Sequence, residues 1–148
     1  MIVSPYLNNP IHEWKNITKQ LIRDYPLSFQ QIKEITFIVW DRLWGSTIGG
    51  KIKISEVDLP ATVIGYFFQK LFSHELNNRF PTMWQGEKNK MDKDLVNLKD
   101  PKFSTEIKVS GQLGYQIFGN RSYNQQATNE KSGKDKSGYY ITLHDLEG

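Results

Sequence analysis

Apolar residues recur at helical spacing through the first half of the chain and nearer to alternation in the second. In NNPIHEWKNITKQLIRDYP, the residues Ile11, Trp14, Ile17, Leu21 and Ile22 fall on one helical face. That predicts a helix capped by Asn9, with Pro10 in its first turn, where the missing N–H is no loss. Asp24-Tyr25-Pro26 closes the run. A second helix is predicted to open at Ser28, with Gln31 three positions on in a capping-box arrangement. Ile32, Ile35, Val39 and Leu43 continue one face as far as Gly45, a natural terminator. STIGGKIKISEV reads as a loop or a short edge strand. The third helix begins after Asp58, has Pro60 in its first turn and extends to about Asn77. Its residues Ile64, Phe67, Phe68, Leu71, Phe72 and Leu76 make it the most apolar, as expected of a helix packed on a sheet. Trp14, Trp40 and Trp44 lie on helical faces and are expected in the core.

After Pro81 the period changes. DLVNL and FSTEIKV read as strands joined by the turn-type cluster KDPK, and GYYITL is a third strand. Between the last two lies a long segment whose second half is polar and rich in Gly and Lys, expected to be an exposed loop. The order predicts an α/β (α+β) domain: a helical part over residues 1–58, then a core over residues 59–148 with a central sheet flanked by helices. A chain of 148 residues fits one such domain.

Composition removes several classes of chemistry. There is no cysteine, which excludes disulfides, thiolate zinc sites and cysteine nucleophiles and fits a reducing, cytoplasmic location. No apolar run approaches the ~20 residues of a membrane span, so no membrane association is expected. The net charge of +3 is spread along the chain, compatible with a polyanionic partner but too small to argue for one. His12, His74 and His144 have no ligand spacing, and no serine-hydrolase elbow or P-loop occurs.

The candidate chemistry lies in MDKDLVNLKDPKFSTEIKVS. Glu106 and Lys108, two apart on a strand, share a face while Ile107 points to the core. A D/E-x-K tripeptide arises by chance about once in a chain of this length, and Asp100-Pro101-Lys102 is a second match. Asp94 adds a geometric condition. A regular two-residue loop at Asp100-Pro101 would pair Asp94 with Ile107, on the wrong face. A loop of three or five residues, or a bulge, would instead bring Asp94 to Glu106 or Lys108. Two carboxylates held together repel unless a cation lies between them, and oxygen ligands with water suit magnesium. A neighbouring ammonium completes a set suited to phosphodiester hydrolysis.

Asp94 with Glu106-x-Lys108 resembles the PD-(D/E)xK nuclease motif, with Lys93 where the motif has proline. STEIKVSG and the following QIFGNRSY are similar to the ScaI-type restriction endonucleases, over about residues 58 to 144. The resemblance implies a restriction-endonuclease-like core with a mixed sheet, and a homodimer that cuts double-stranded DNA with Mg2+. It implies Asp94 and Glu106 as metal ligands joined by the carbonyl of Ile107, and Lys108 as the group that positions water. Asn120, Arg121, Ser122 and Tyr123 are then candidates for DNA contact. Related folds often add a carboxylate from the preceding helix, and here Gln69 and Glu75 stand nearby without either being assigned. The chain stops soon after its third predicted strand, where such folds continue, so a core incomplete at its C-terminal end is expected. The alternatives are a same-fold nuclease for branched DNA, a non-catalytic DNA-binding protein, and an inactive truncated remnant.

Overall fold

The computed structural model describes residues 4–110 and 137–144. Helix α1 spans Trp14–Asp24, preceded by a 3-10 turn at Ile11–Glu13. Asn9 is not its cap. The Asn9 amide instead donates to the carbonyls of Pro5 and Leu7, because Pro10 is extended and the helical turn starts one residue later. Helix α2 covers Phe29–Trp44 and has the expected capping box: the Gln31 N–H donates to Ser28 Oγ at 3.1 Å, and the Ser28 N–H donates to Gln31 Oε1 at 2.9 Å.

STIGGKIKISEV folds as a small hairpin, β1 (Thr47–Ile48) with β2 (Ile52–Lys53). Its turn needs left-handed backbone at both Gly49 (φ 64°) and Gly50 (φ 72°), a conformation glycine enters without a Cβ penalty. Helix α3 then runs Ala61–Arg79.

The remaining strands build a mixed four-stranded sheet in the order β3 (Trp84–Gly86), β4 (Leu95–Asn97), β5 (Thr105–Ser110) and β6 (Tyr139–His144). The first two pairings are antiparallel and β5–β6 is parallel. The sequence reading omits β3. β4 is equally short but lies within the strand-like run DLVNL, whereas no such run surrounds β3, whose Trp84, Gln85 and Gly86 pair with β4.

α3 lays Phe68, Phe72 and Leu76, all fully buried, against Trp84, Leu95, Ile107 and Ile141 of the sheet. A Cβ on Gly65 would meet Val109 Cβ at 3.6 Å, so α3 covers the Ile107–Val109 face of β5. α2 closes the other side of α3 through Ile35, Val39 and Leu43. Trp40 packs edge-on against both Trp44 and Phe68. Trp14 departs from expectation, remaining 42% exposed because α1 buries none of its residues.

An ion-pair cluster joins the two long helices. Arg42 donates to Glu75 at 2.5 Å and Arg79 does so at 3.1 Å. The Arg42 guanidinium, and then Arg79, hold the Glu75 carboxyl below its usual range against the opposing effect of burial.

Tyr25 ties the α1–α2 junction to the sheet. Its hydroxyl lies 2.6 Å from Thr105 Oγ1, and its ring stacks on Tyr139 with centroids 4.7 Å apart. Burial pushes the Tyr25 phenol up to about 12 despite the Thr105 hydrogen bond, which favours the charged form. A phenol harder to ionise when folded adds stability that is complete below the unfolded pKa of about 10. That stability is lost as pH rises toward 12. Denaturant midpoints should therefore fall across pH 10 to 12, and the fall should be smaller in Tyr25→Phe.

Candidate active site

The connection from β4 to β5 decides where Asp94 lies. It occupies residues 98–104, an odd number, longer than the three- or five-residue loop expected from the sequence but of the same parity. Three short polar bridges shape it. Asn97 Oδ1 accepts from the N–H groups of Lys99 and Asp100, Asp100 Oδ1 accepts from Lys102, and Ser104 Oγ accepts from Asn97. A 3-10 turn at Pro101–Phe103 fills the middle. The resulting register pairs Leu95 with Thr105. Asp94 lies in a bend one residue before that pair, ahead of β4.

The hydrogen bonds refine this. The ladder ends at Leu95–Thr105, and the Asp94 carboxylate enters the gap beside β5. Its Oδ2 accepts from the Ile107 N–H at 2.8 Å, and its Oδ1 accepts from Gln69 Nε2, on α3, at 2.5 Å. In an extended strand a residue's N–H and C=O point to the same edge, so the Ile107 carbonyl also points toward β4.

Asp94 and Glu106 are 7% and 5% exposed, while Lys108 is half-buried. Two buried carboxylates, one on β5 and one in the bend before β4, are costly without donors or a cation. Among the described residues no group of three or more His, Cys, Asp or Glu side chains is placed to hold a metal. The donor set is thus two carboxylates with a main-chain carbonyl nearby, a combination that suits magnesium, which retains several waters.

Lys93 makes a different contact from its neighbour. It is nearly buried, and its ammonium donates to the Ser137 carbonyl at the entry to β6. Gly138 follows with φ 117°, and a Cβ there would lie 2.5 Å from Lys93 Nζ. The lysine side chain thereby fills the space beside β6 that any larger residue at position 138 would need.

The two helical candidates separate cleanly. Gln69 reaches Asp94, whereas Glu75 is turned away and bound by Arg42 and Arg79. In the sequence Gln69 and Glu75 are both candidates for this helix position, with nothing to choose between them. Asn120, Arg121, Ser122 and Tyr123 lie outside the described residues.

The family model for ScaI restriction endonuclease matches residues 4–146. The chain belongs to the ScaI restriction endonuclease family. Its match to the type II restriction enzyme ScaI of Streptomyces caespitosus is 33% identical over 142 residues, covering 95% of this chain and 61% of that protein. This family member thus spans somewhat under two thirds of the length of the curated relative it matches. No solved structure matches it. Among the described residues, no helix is long and apolar enough to cross a membrane.

Proposed function

We propose that the chain is a magnesium-dependent endonuclease that cuts duplex DNA at a specific short sequence, with a PD-(D/E)xK site formed by Asp94, Glu106 and Lys108. The observation that carries the reading is the hydrogen bond from the Ile107 N–H to Asp94 Oδ2, beside the Leu95–Thr105 pair and between Glu106 and Lys108 in the chain. Asp94, Glu106 and the Ile107 carbonyl would hold the ion. When bound, it polarises the scissile phosphoryl group and acidifies its water.

The chain's own groups do the rest. Gln69 and the Ile107 N–H fix the orientation of Asp94. Lys108, on the face of β5 away from α3, positions the water for in-line attack on phosphorus. Cleavage then leaves a 5′-phosphate and a 3′-hydroxyl. Asn120, Arg121, Ser122 and Tyr123 are assigned to DNA contact, and a homodimer matches a palindromic site by its two-fold symmetry.

The test is digestion of a sequence-rich plasmid with and without magnesium. Discrete fragments that require the ion support the reading. Binding without cleavage, or no action on any duplex, overturns it. A further expected result concerns Gln69: replacing it with Ala removes a donor from a metal-binding carboxylate, which typically costs 10- to 100-fold in metal affinity or activity. Magnesium titration of the cleavage rate in Gln69→Ala should show that loss, with the half-saturating concentration moved upward.

A further inference from the structure

Two hydroxyl side chains on β6 occupy positions that match the acid and the lysine of β5. Parallel pairing sets Glu106 against Tyr140 and Lys108 against Thr142. The alternate pair, Ile107 with Ile141, is buried at 4% and 8% exposure. Side chains alternate between the two faces of a sheet, and partners in register share one face. Tyr140 and Thr142 therefore stand on the face that carries Glu106 and Lys108, one strand spacing of about 4.8 Å away. Their surroundings differ from those of Glu106. Tyr140 is 39% exposed and Thr142 is also exposed, while Glu106 is almost fully buried. Among the described strands β6 lies next to β5 at the end of the sheet.

We propose that Tyr140 and Thr142 bind the DNA backbone, donating hydroxyl hydrogen bonds to the phosphate next to the one that is cut. This rests on the nuclease reading of the Asp94–Glu106–Lys108 site. The chemistry favours neutral donors at this margin. A further carboxylate would repel the polyanion, and a further ammonium beside Glu106 would pair with the acid. A hydroxyl donates to phosphate and brings no charge of its own to the site. Tyr and Thr also suit a strand, so the donors do not weaken the element that presents them.

The test uses the full chain and a duplex containing a site that the wild type cuts. Tyr140→Phe and Thr142→Val each remove a hydroxyl while retaining shape and strand preference. Measured by anisotropy with calcium in place of magnesium, each should weaken binding about tenfold, as expected for a hydrogen bond to a charged group. The salt dependence of binding should keep its slope, because no cation is removed, whereas loss of a phosphate-bound lysine lowers it by about 0.9. A methylphosphonate at the phosphate beside the cut should weaken the wild type but leave the double variant unchanged. Thr142→Ser should restore binding. A double variant that binds like the wild type, or one equally sensitive to the methylphosphonate, overturns the inference. If the wild type cuts no duplex, the nuclease reading fails and this inference falls with it.

Discussion

Glu106→Gln should lower the rate of magnesium-dependent cleavage by about a thousandfold or more, which corresponds to the several kcal/mol a catalytic metal contributes. The substitution is close to isosteric, and Glu106 sits on β5 at 5% exposure, where a change of volume would confuse the result. It also removes the charge of one of two buried carboxylates, so the apo protein should melt at the same temperature or slightly higher. The decisive comparison is thermal. Magnesium that binds the native state raises its stability in proportion to RT ln(1 + [L]/Kd). Wild type should show that rise and Glu106→Gln should show little of it. A variant that cuts DNA at the wild-type rate would remove Glu106 from the chemistry altogether.

Phe72→Ala should have the largest effect on stability, about 3–5 kcal/mol, read from the denaturant midpoint. Phe72 is fully buried between α3 and the sheet, with Phe68 at 5.9 Å between ring centroids. Collapse around the lost ring is opposed on two sides. α3 is held to α2 through Glu75, Arg42 and Arg79, and Asn77 Nδ2 donates to the Trp84 carbonyl at 2.7 Å. Gln69 lies on the same helix, one turn before Phe72, so a shift of α3 also displaces the donor to Asp94. Activity should therefore fall by more than the unfolded fraction explains. A loss below about 1 kcal/mol would mean that the helix closes over the cavity and that its position is not held by these contacts.

Much of this arrangement is legible in the sequence because it is local. The capping box at Ser28 and Gln31 involves residues three apart, and each helix shows its buried stripe in its own spacing. Three of the four main-sheet strands fall within runs that display strand character, DLVNL, FSTEIKV and GYYITL; β3, in no such run, does not. Alternation along β5 likewise separates Glu106 and Lys108 from Ile107 before any neighbour is known. Even the condition on Asp94 is a local matter of parity, since shifting a hairpin register by one residue reverses the face of every side chain.

The sequence by itself thus determined the helices, most of the strands and the family to which the chain belongs. Tertiary structure decided the rest. Where Asp94 lies against β5 depended on a connection held by Asn97, Asp100 and Ser104, whose bridges cannot be read from spacing. The choice between Gln69 and Glu75 depended on contacts 25 and 33 residues away in the chain. Both residues stand on one helix within two turns. One faces the acid at the β4–β5 gap and the other faces two arginines, because the rotation of α3 is set by the burial of Phe68, Phe72 and Leu76. Helical period names the buried face. Only packing against a particular sheet and a particular α2 determines what each polar residue beside that face will touch.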